Sequence, residues 1–445
     1  MKNEDRHHCD ACGHESPRWF GKCPECGSWS SAKRHAAEPD GVVAESLASV
    51  TAVTLRLGTG IDEIDRILGG GLVRGSVNLL AGEPGVGKST LLLQLLAGVA
   101  SAGGRSLLVT AEESLDQVSQ RAARLTLPSN KIDAVSTGFL QDALANARRE
   151  EPDVLVVDSI QAIQDRSIEQ GSGSLVQVRA CSAELVALAK SSSMAMILVG
   201  HVTKDGAVAG PKTLEHIVDT VLSLEGERGG SLRLLRAMKN RFGSCEETGV
   251  FTMTPTGLHV VEDPSALLLA DRLAQVSGSI VFPSIQGSRS LLVEIQALVN
   301  ATNHVPPRRV ALGLDQRRLA LLLAVINKRT PLDLGAHEVF TAAAGGISVP
   351  EPAADLAICL ALRSAIADVP INESLVALGE VGLGGEIRRV PNLRRRLIEA
   401  SRLGFKRALV PARSEVDDVG LEVVEVKDVT SAFAAADACQ QTRAA

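Results

Sequence analysis

Residues 82–90 read Gly-Glu-Pro-Gly-Val-Gly-Lys-Ser-Thr, and no other stretch restricts the fold of this 445-residue chain as tightly. Gly82, Gly85 and Gly87 let the backbone curl so that successive N–H groups point inward at one anion, and Lys88 adds a full positive charge. Glu83, Pro84 and Val86 complete the loop, Ser89 offers a hydroxyl to Mg²⁺, and Thr90 continues into the next element. Such a loop works only when mounted between a strand and a helix. The apolar run 76–81 precedes it and the aliphatic run 91–100 follows it, so the helix dipole adds to the anion site. The pattern predicts a phosphate site for ATP or GTP with Mg²⁺.

From residue 57 the chain alternates apolar runs with helical patterns, which predicts an α/β fold built on a parallel sheet with helices on both faces. A short helix closed by a glycine cluster is expected over 58–71, and strands over 106–110, 154–158, 194–199 and 220–225. Doubly wound sheets place their chemistry at the carboxyl ends of such strands. Asp158 ends one run 70 residues after Lys88 and fits a Mg²⁺-holding carboxylate, or else the cap of the next helix. Glu112 and Glu113 end another, and one of them is placed to orient an attacking water, with a slight preference for Glu113. His201, in Gly-His-Val-Thr-Lys-Asp-Gly, is either a γ-phosphate sensor or a hydrogen-bonded loop histidine. Lys239 and Arg241, in Lys-Asn-Arg-Phe-Gly, follow a strand expected over 232–237. Two cations on one short loop suit the phosphates of a neighbouring subunit better than their own, although a solvated basic turn has the same composition.

Cys9, Cys12, Cys23 and Cys26 form C-x2-C-x10-C-x2-C, whose thiolates can converge on one Zn²⁺. Four thiolates leave no open position, so the metal is expected to be structural. His7, His8 and His14 lie close by, but the cysteines already fill the shell. A segment this short needs such a staple. The stretch 36–56 reads as a linker.

Hydrophobic residues make up 45% and charged residues 22%, ordinary for a soluble protein, but aromatics are 2% with no Tyr. Aliphatic side chains must build the cores. The scarcity also argues against a nucleic-acid site made of stacked aromatics. No apolar run of membrane-spanning length and no signal peptide is visible, so a cytoplasmic location and no membrane partner are expected. Net charge is −6, but residues 300–413 hold 16 Lys and Arg against 10 Asp and Glu, while 414–445 hold 2 against 7. A basic module is followed by an acidic tail.

Taken together, Cys9-x2-Cys12-Gly, Pro17-Arg18-Trp19-x-Gly21-x-Cys23-Pro24-x-Cys26, the loop 82–90 and Lys239-Asn-Arg-Phe-Gly243 resemble the bacterial RadA (Sms) family over essentially the whole chain. That resemblance implies four segments: a C4 zinc ribbon over 1–35, a linker over 36–56, a RecA-like P-loop ATPase over 57–264, and an α+β Lon-protease-like domain over 265–445. It also implies a hexameric ring on single-stranded and branched DNA, a RecA-type recombinase as partner, and ATP hydrolysis that drives branch migration. In it, Lys239 and Arg241 couple nucleotide state to DNA contact or ring geometry.

The segment Pro350-Glu351-Pro352-Ala353-Ala354-Asp355 resembles the part of Lon that carries its nucleophilic serine, and that position is Ala353. The catalytic lysine position corresponds to Arg394. A methyl group cannot attack a carbonyl and a protonated guanidinium cannot act as base, so no peptidase is expected. Arg308, Arg309, Arg317, Arg318, Lys328, Arg329, Arg388, Arg389 and Arg394 to Arg396 are instead candidates for DNA phosphates, Arg308 and Arg309 first among them. Two other readings stay open: a KaiC-like ATPase or kinase acting on protein, and a scaffold whose assembly ATP controls.

Overall fold

The computed structural model describes residues 6–16, 18–30, 32–35, 55–201, 212–226, 230–245, 247–304 and 306–441. They divide into two compact units, Met1–Thr54 and Leu55–Ala445.

In the first unit, Arg6–Cys9 pairs antiparallel with both Glu15–Ser16 and Ala32–His35. Each cysteine pair closes the same turn: Gly13 N–H donates to Cys9 O at 2.8 Å and Gly27 N–H to Cys23 O at 3.0 Å. Both glycines have φ above +70°, where a side chain would be strained.

The second unit is organised by two sheets. A nine-stranded sheet has as its parallel part, in spatial order, Thr220–Glu225, Val77–Gly82, Ala195–His201, Val154–Asp158, Ser106–Thr110 and Ile132–Ser136. The antiparallel strands Leu232–Asn240, Thr248–Thr254 and Gly257–Val260 extend it beyond Thr220. The central strands read as unbroken apolar runs because both faces are covered. Leu80, Val154, Val156, Ile197 and Val199 join one core, with the helix Lys88–Ser101 against it. Val77, Leu79, Leu155, Val157, Met196 and Leu198 join the other, against Leu140–Glu150 and Leu175–Ser192. This is the RecA-like arrangement expected from sequence. The strand expected over 232–237 is present as Leu232–Asn240, while the sequence reading missed the edge strand Ile132–Ser136, whose burial is only partial, and the strands Thr248–Thr254 and Gly257–Val260.

The second sheet has seven mixed strands in the order Arg309–Leu312, His337–Ala343, Arg289–Ala301, Ser279–Gln286, Leu375–Ala377, Arg407–Pro411 and Glu422–Val426. Asp355–Ala367 is its central helix, nearly all buried. The run Leu319 to Ile326 lies in the helix Gln316–Arg329 and packs its apolar stripe inward, as a core helix should.

Two expected boundaries need correction. Residues 55 and 56 belong to the fold and not to the linker: Arg56 reaches across to donate to Leu68 O, Gly71 O and Phe242 O, the last at 2.7 Å. The remainder of the linker lies outside the described residues. The acidic segment 414–445 is no tail, because it supplies the strand Glu422–Val426 and the helix Val429–Gln441, with Ala432, Phe433 and Ala436 buried. Its acids serve local partners, as in the Arg407–Glu422 ion pair at 2.7 Å.

The sheets change between Val260 and Ser279, yet the two domains are not independent. Leu234 and Val250 of the first sheet enter the core of the second. Buried Glu63 pairs with Arg66 of its own helix and with Arg289 of the other domain at 2.9 Å, and Ser288 donates to Glu247 at 2.6 Å.

Candidate functional site

Four parallel strands deliver their last residues to one place. In the sheet register Gly82 sits opposite His201, and Thr110 opposite Asp158. The loop that leaves Gly82 requires its glycines for stated reasons: a Cβ at Gly82 would lie 2.5 Å from Leu224 O, and Gly87 adopts φ 115°. Lys88 opens the helix Lys88–Ser101 and is buried. Its ammonium donates to Gly82 O at 2.8 Å and Glu83 O at 3.0 Å, so it lies folded over the loop it serves. Burial lowers its pKa, and the charges of Asp158 and Glu112 oppose that shift.

Ser89 Oγ donates to Asp158 Oδ2 at 2.7 Å. Burial pushes the Asp158 pKa upward against that hydrogen bond, and Glu112 and Glu113 push it further. A hydroxyl and a carboxylate in contact beside the phosphate loop are the donor set that Mg²⁺ prefers, so the residues fit that ion. Asp158 and Ser159 are joined by a cis peptide bond.

The two glutamates separate. Thr110 Oγ1 accepts from Glu113 N–H and pins the turn, and the capping box of Ser114 and Gln117 starts the next helix immediately. Glu113 leans away and pairs with Arg121 at 2.5 Å. Glu112 points into the site, where it accepts from Ser159 Oγ and lies 3.1 Å from His201 Nε2. Burial alone would raise the Glu112 pKa, but Ser159, His201 and Lys88 outweigh it and hold the carboxyl below its ordinary value. The slight sequence preference for Glu113 is thus reversed by geometry. His201 ends its strand, and the loop after it lies outside the described residues.

Lys239 and Arg241 go elsewhere. Lys239 is not on a loop: it lies in the strand Leu232–Asn240, where its ammonium donates to Glu215 O at 2.6 Å and Val218 O at 2.8 Å. Those carbonyls lie at the end of the helix Lys212–Ile217, so a half-buried cation there meets the helix dipole. Burial, then Arg241, lowers its pKa. Arg241 is 53% exposed and pairs with Asp219, whose other oxygen accepts from Val77 N–H. Val77 and Gly82 are opposite ends of a six-residue strand. Arg241 therefore stands beside the end of that strand remote from the phosphate loop, about 17 Å along it from Gly82 at ~3.3 Å per residue, and the Lys239 ammonium reaches toward the same end.

Sequence reasoning missed Arg233, which is buried and donates to Val86 O of the phosphate loop at 2.8 Å. It was read as one residue of a strand, and only the fold brings that strand's first turn behind the loop.

In the C-terminal domain, Ala353 is buried and Arg394 is exposed. The guanidinium that enters the corresponding region is Arg396, which donates to Pro283 O at 2.7 Å and pairs with Glu351 at 2.5 Å. Arg318 is held by buried Asp355 and is a structural cation, while exposed Arg388 pairs with Glu386 at the surface. Arg308 is 76% exposed with only a 3.9 Å contact to Glu338, and Arg309 makes no ion pair among the described residues. Both begin the edge strand Arg309–Leu312 or immediately precede it.

In the ribbon, the four cysteine sulfurs lie within 4.8 Å of one another, the spread of a tetrahedral thiolate site, and Cys9 and Cys23 are buried beneath it. The donor set fits Zn²⁺. No helix among the described residues is long and apolar enough to cross a membrane.

Three family models match parts of this chain. The KaiC ATPase family model matches residues 57–265, a rubredoxin metal binding domain model 7–33, and a model of subunit ChlI of Mg-chelatase 344–414. A solved KaiC-like protein from Pyrococcus horikoshii is a remote likeness, at 22% identity and a TM-score of 0.40 over 47% of this chain and all of its own. The DNA repair protein RadA of Pseudomonas aeruginosa is 46% identical, covering 96% of this chain and 97% of its own length. Those of Bacillus subtilis and Escherichia coli are 41% and 43% identical over 97% and 96% of this chain, and 98% and 97% of theirs. With a RecA-like nucleotide site and a four-cysteine ribbon at matching places, the chain belongs to the RadA family of bacterial DNA repair proteins.

Proposed function

We propose that this ATPase is a ring motor that works on single-stranded and branched DNA and extends recombination intermediates by branch migration. The carrying observation is the split of the cationic groups between the two ends of one sheet. Lys88, Ser89, Asp158, Glu112 and His201 gather at the carboxyl end, whereas exposed Arg241 stands at the other. A phosphate loop at one end of the sheet and an exposed cation at the other are complementary between adjacent copies, which supports a closed oligomer, most simply a hexamer.

Within the site, Lys88 and the loop N–H groups hold the phosphates, and Glu112, kept ionised, accepts the proton of the attacking water. His201, bonded to Glu112, links that base to the loop beyond the strand. Bound Mg²⁺ would be held by Ser89 and Asp158 and would neutralise phosphate charge. Arg241 is assigned to the neighbour's phosphates, and Lys239 fixes the strand that presents it. Arg308 and Arg309 are assigned to DNA phosphates, and a RecA-type recombinase is the expected protein partner.

The test is ATP turnover with and without single-stranded DNA at two salt concentrations. Stimulation that fades as salt rises is expected. No stimulation at low salt overturns the motor reading.

A further inference from the structure

The chain holds two tryptophans and no tyrosine, and both tryptophans lie in the zinc ribbon. Trp19 is 66% exposed and Trp29 is 74% exposed. They do not build the ribbon's interior, because its buried apolar side chains among the described residues are Cys9 and Cys23. An indole left in water forfeits the burial that makes tryptophan worth using, so its use here is contact with something else.

Both rings are seated on one short bridge. Lys22 pairs antiparallel with Trp29, and Ser30 N–H donates to Gly21 O at 2.8 Å. A Cβ at Gly21 would lie 3.4 Å from the Trp19 ring, an ordinary contact distance, so that indole packs beside the bridge. The Lys22 ammonium stands 5.6 Å from the centre of the Trp29 ring and leaves most of its surface in solvent. Arg18, next to Trp19, is exposed. Neither Arg18 nor Lys22 makes an ion pair among the described residues, while Asp10 of the first knuckle is engaged by His8 at 3.3 Å.

We infer that Trp19 and Trp29 are a base-stacking surface for single-stranded DNA, with Arg18 and Lys22 meeting the phosphates beside the stacked bases. Aromatic faces accept any base, and cations with no ion pair among the described residues supply sequence-independent attraction, the combination that single-strand sites use. An apolar protein partner would explain the indoles and leave the two cations without a role. Scarcity of aromatics across the chain argued against such a surface. Their concentration on one knuckle reverses that argument. The proposal rests on single-stranded DNA being a ligand of this protein.

Because these are the only tryptophans, selective excitation of indole in the full zinc-loaded protein reads this knuckle alone. Oligothymidylate should quench the emission, while anisotropy of a labelled oligonucleotide follows binding anywhere on the molecule. Trp19→Ala and Trp29→Ala should each weaken binding by about 5-fold or more, as loss of one stacked base does. Trp29→Phe, which keeps a π-face, should recover most of the loss, and zinc content checks that each variant is folded. If anisotropy shows binding but the emission does not change and the double alanine variant binds like the parent, the indoles do not stack bases and the inference fails alone. Absence of any binding overturns both this inference and the DNA reading. Emission that responds only to an added recombinase assigns the surface to protein.

Discussion

At the end of the phosphate-loop strand, Lys88 lies near Asp158 and Glu112; in the C-terminal sheet, Arg396 lies against Glu351. In the first place the ammonium is bonded only to backbone carbonyls of its own loop, Asp158 takes one hydroxyl, and the Glu112 side chain is 43% exposed. In the second, Glu351 also accepts from Ser284 Oγ and Ile285 N–H, and Arg396 donates to Pro391 O and Pro283 O besides. The first set keeps unused hydrogen-bonding capacity and partial access to water. The second spends its capacity internally, with the Arg396 side chain 1% exposed. A charged pair can serve chemistry only while part of its bonding remains for a substrate, and one whose bonding is consumed internally serves as scaffold.

Five sets of substitutions and one restoration can break this contrast. The largest effect is expected at Glu112: Glu112→Gln should lower kcat for ATP by about 10²- to 10⁴-fold, the usual worth of a positioned base. Glu113→Gln should cost less than about tenfold by the same measure, because its partner is Arg121. Equal losses would erase the distinction between the two glutamates.

Arg396→Met comes next, and should destabilise the chain to urea by ~3–5 kcal/mol by leaving Glu351 partly buried without its cation. ATP turnover per folded molecule should be unchanged. A catalytic defect with normal stability would move Arg396 out of the scaffold.

Arg233→Met should raise KM for ATP by about tenfold, for a charged hydrogen bond worth ~1.5–3 kcal/mol to the loop carbonyl, with kcat nearly preserved. A drop in kcat at constant KM would contradict a role confined to holding the loop. Replacing Arg308 and Arg309 together by Ala should reduce the slope of log affinity for DNA against log salt by about 2. An unchanged slope removes this pair from the DNA surface. The smallest effect is expected for Ala353→Ser, which should yield no peptide hydrolysis, since a guanidinium cannot activate it. Turnover of a casein substrate would refute the view that the region is purely structural.

The nine-residue phosphate loop was legible because its chemistry is local: glycine conformations, one cation and one hydroxyl sit within a single strand, turn and helix. The strands Ser106–Thr110 and Val154–Asp158 were legible because burial on both faces writes an unbroken apolar run. The metal knuckles were legible from cysteine spacing alone. Which glutamate faces the site was not, since Glu112 and Glu113 differ only in the direction that the turn pinned by Thr110 gives them. The engaged and unengaged arginines could not be sorted either, because Asp355 lies 37 residues from Arg318 and Glu351 lies 45 from Arg396. The sequence by itself determined a phosphate-binding α/β core and a four-thiolate ribbon, since each depends on neighbouring residues. Only the tertiary structure decided that Lys239 and Arg241 stand at the far end of the sheet from Lys88, that Arg233 grips the loop and that Arg396 is locked to Glu351. Those facts depend on which strands lie side by side, and long-range packing sets that order.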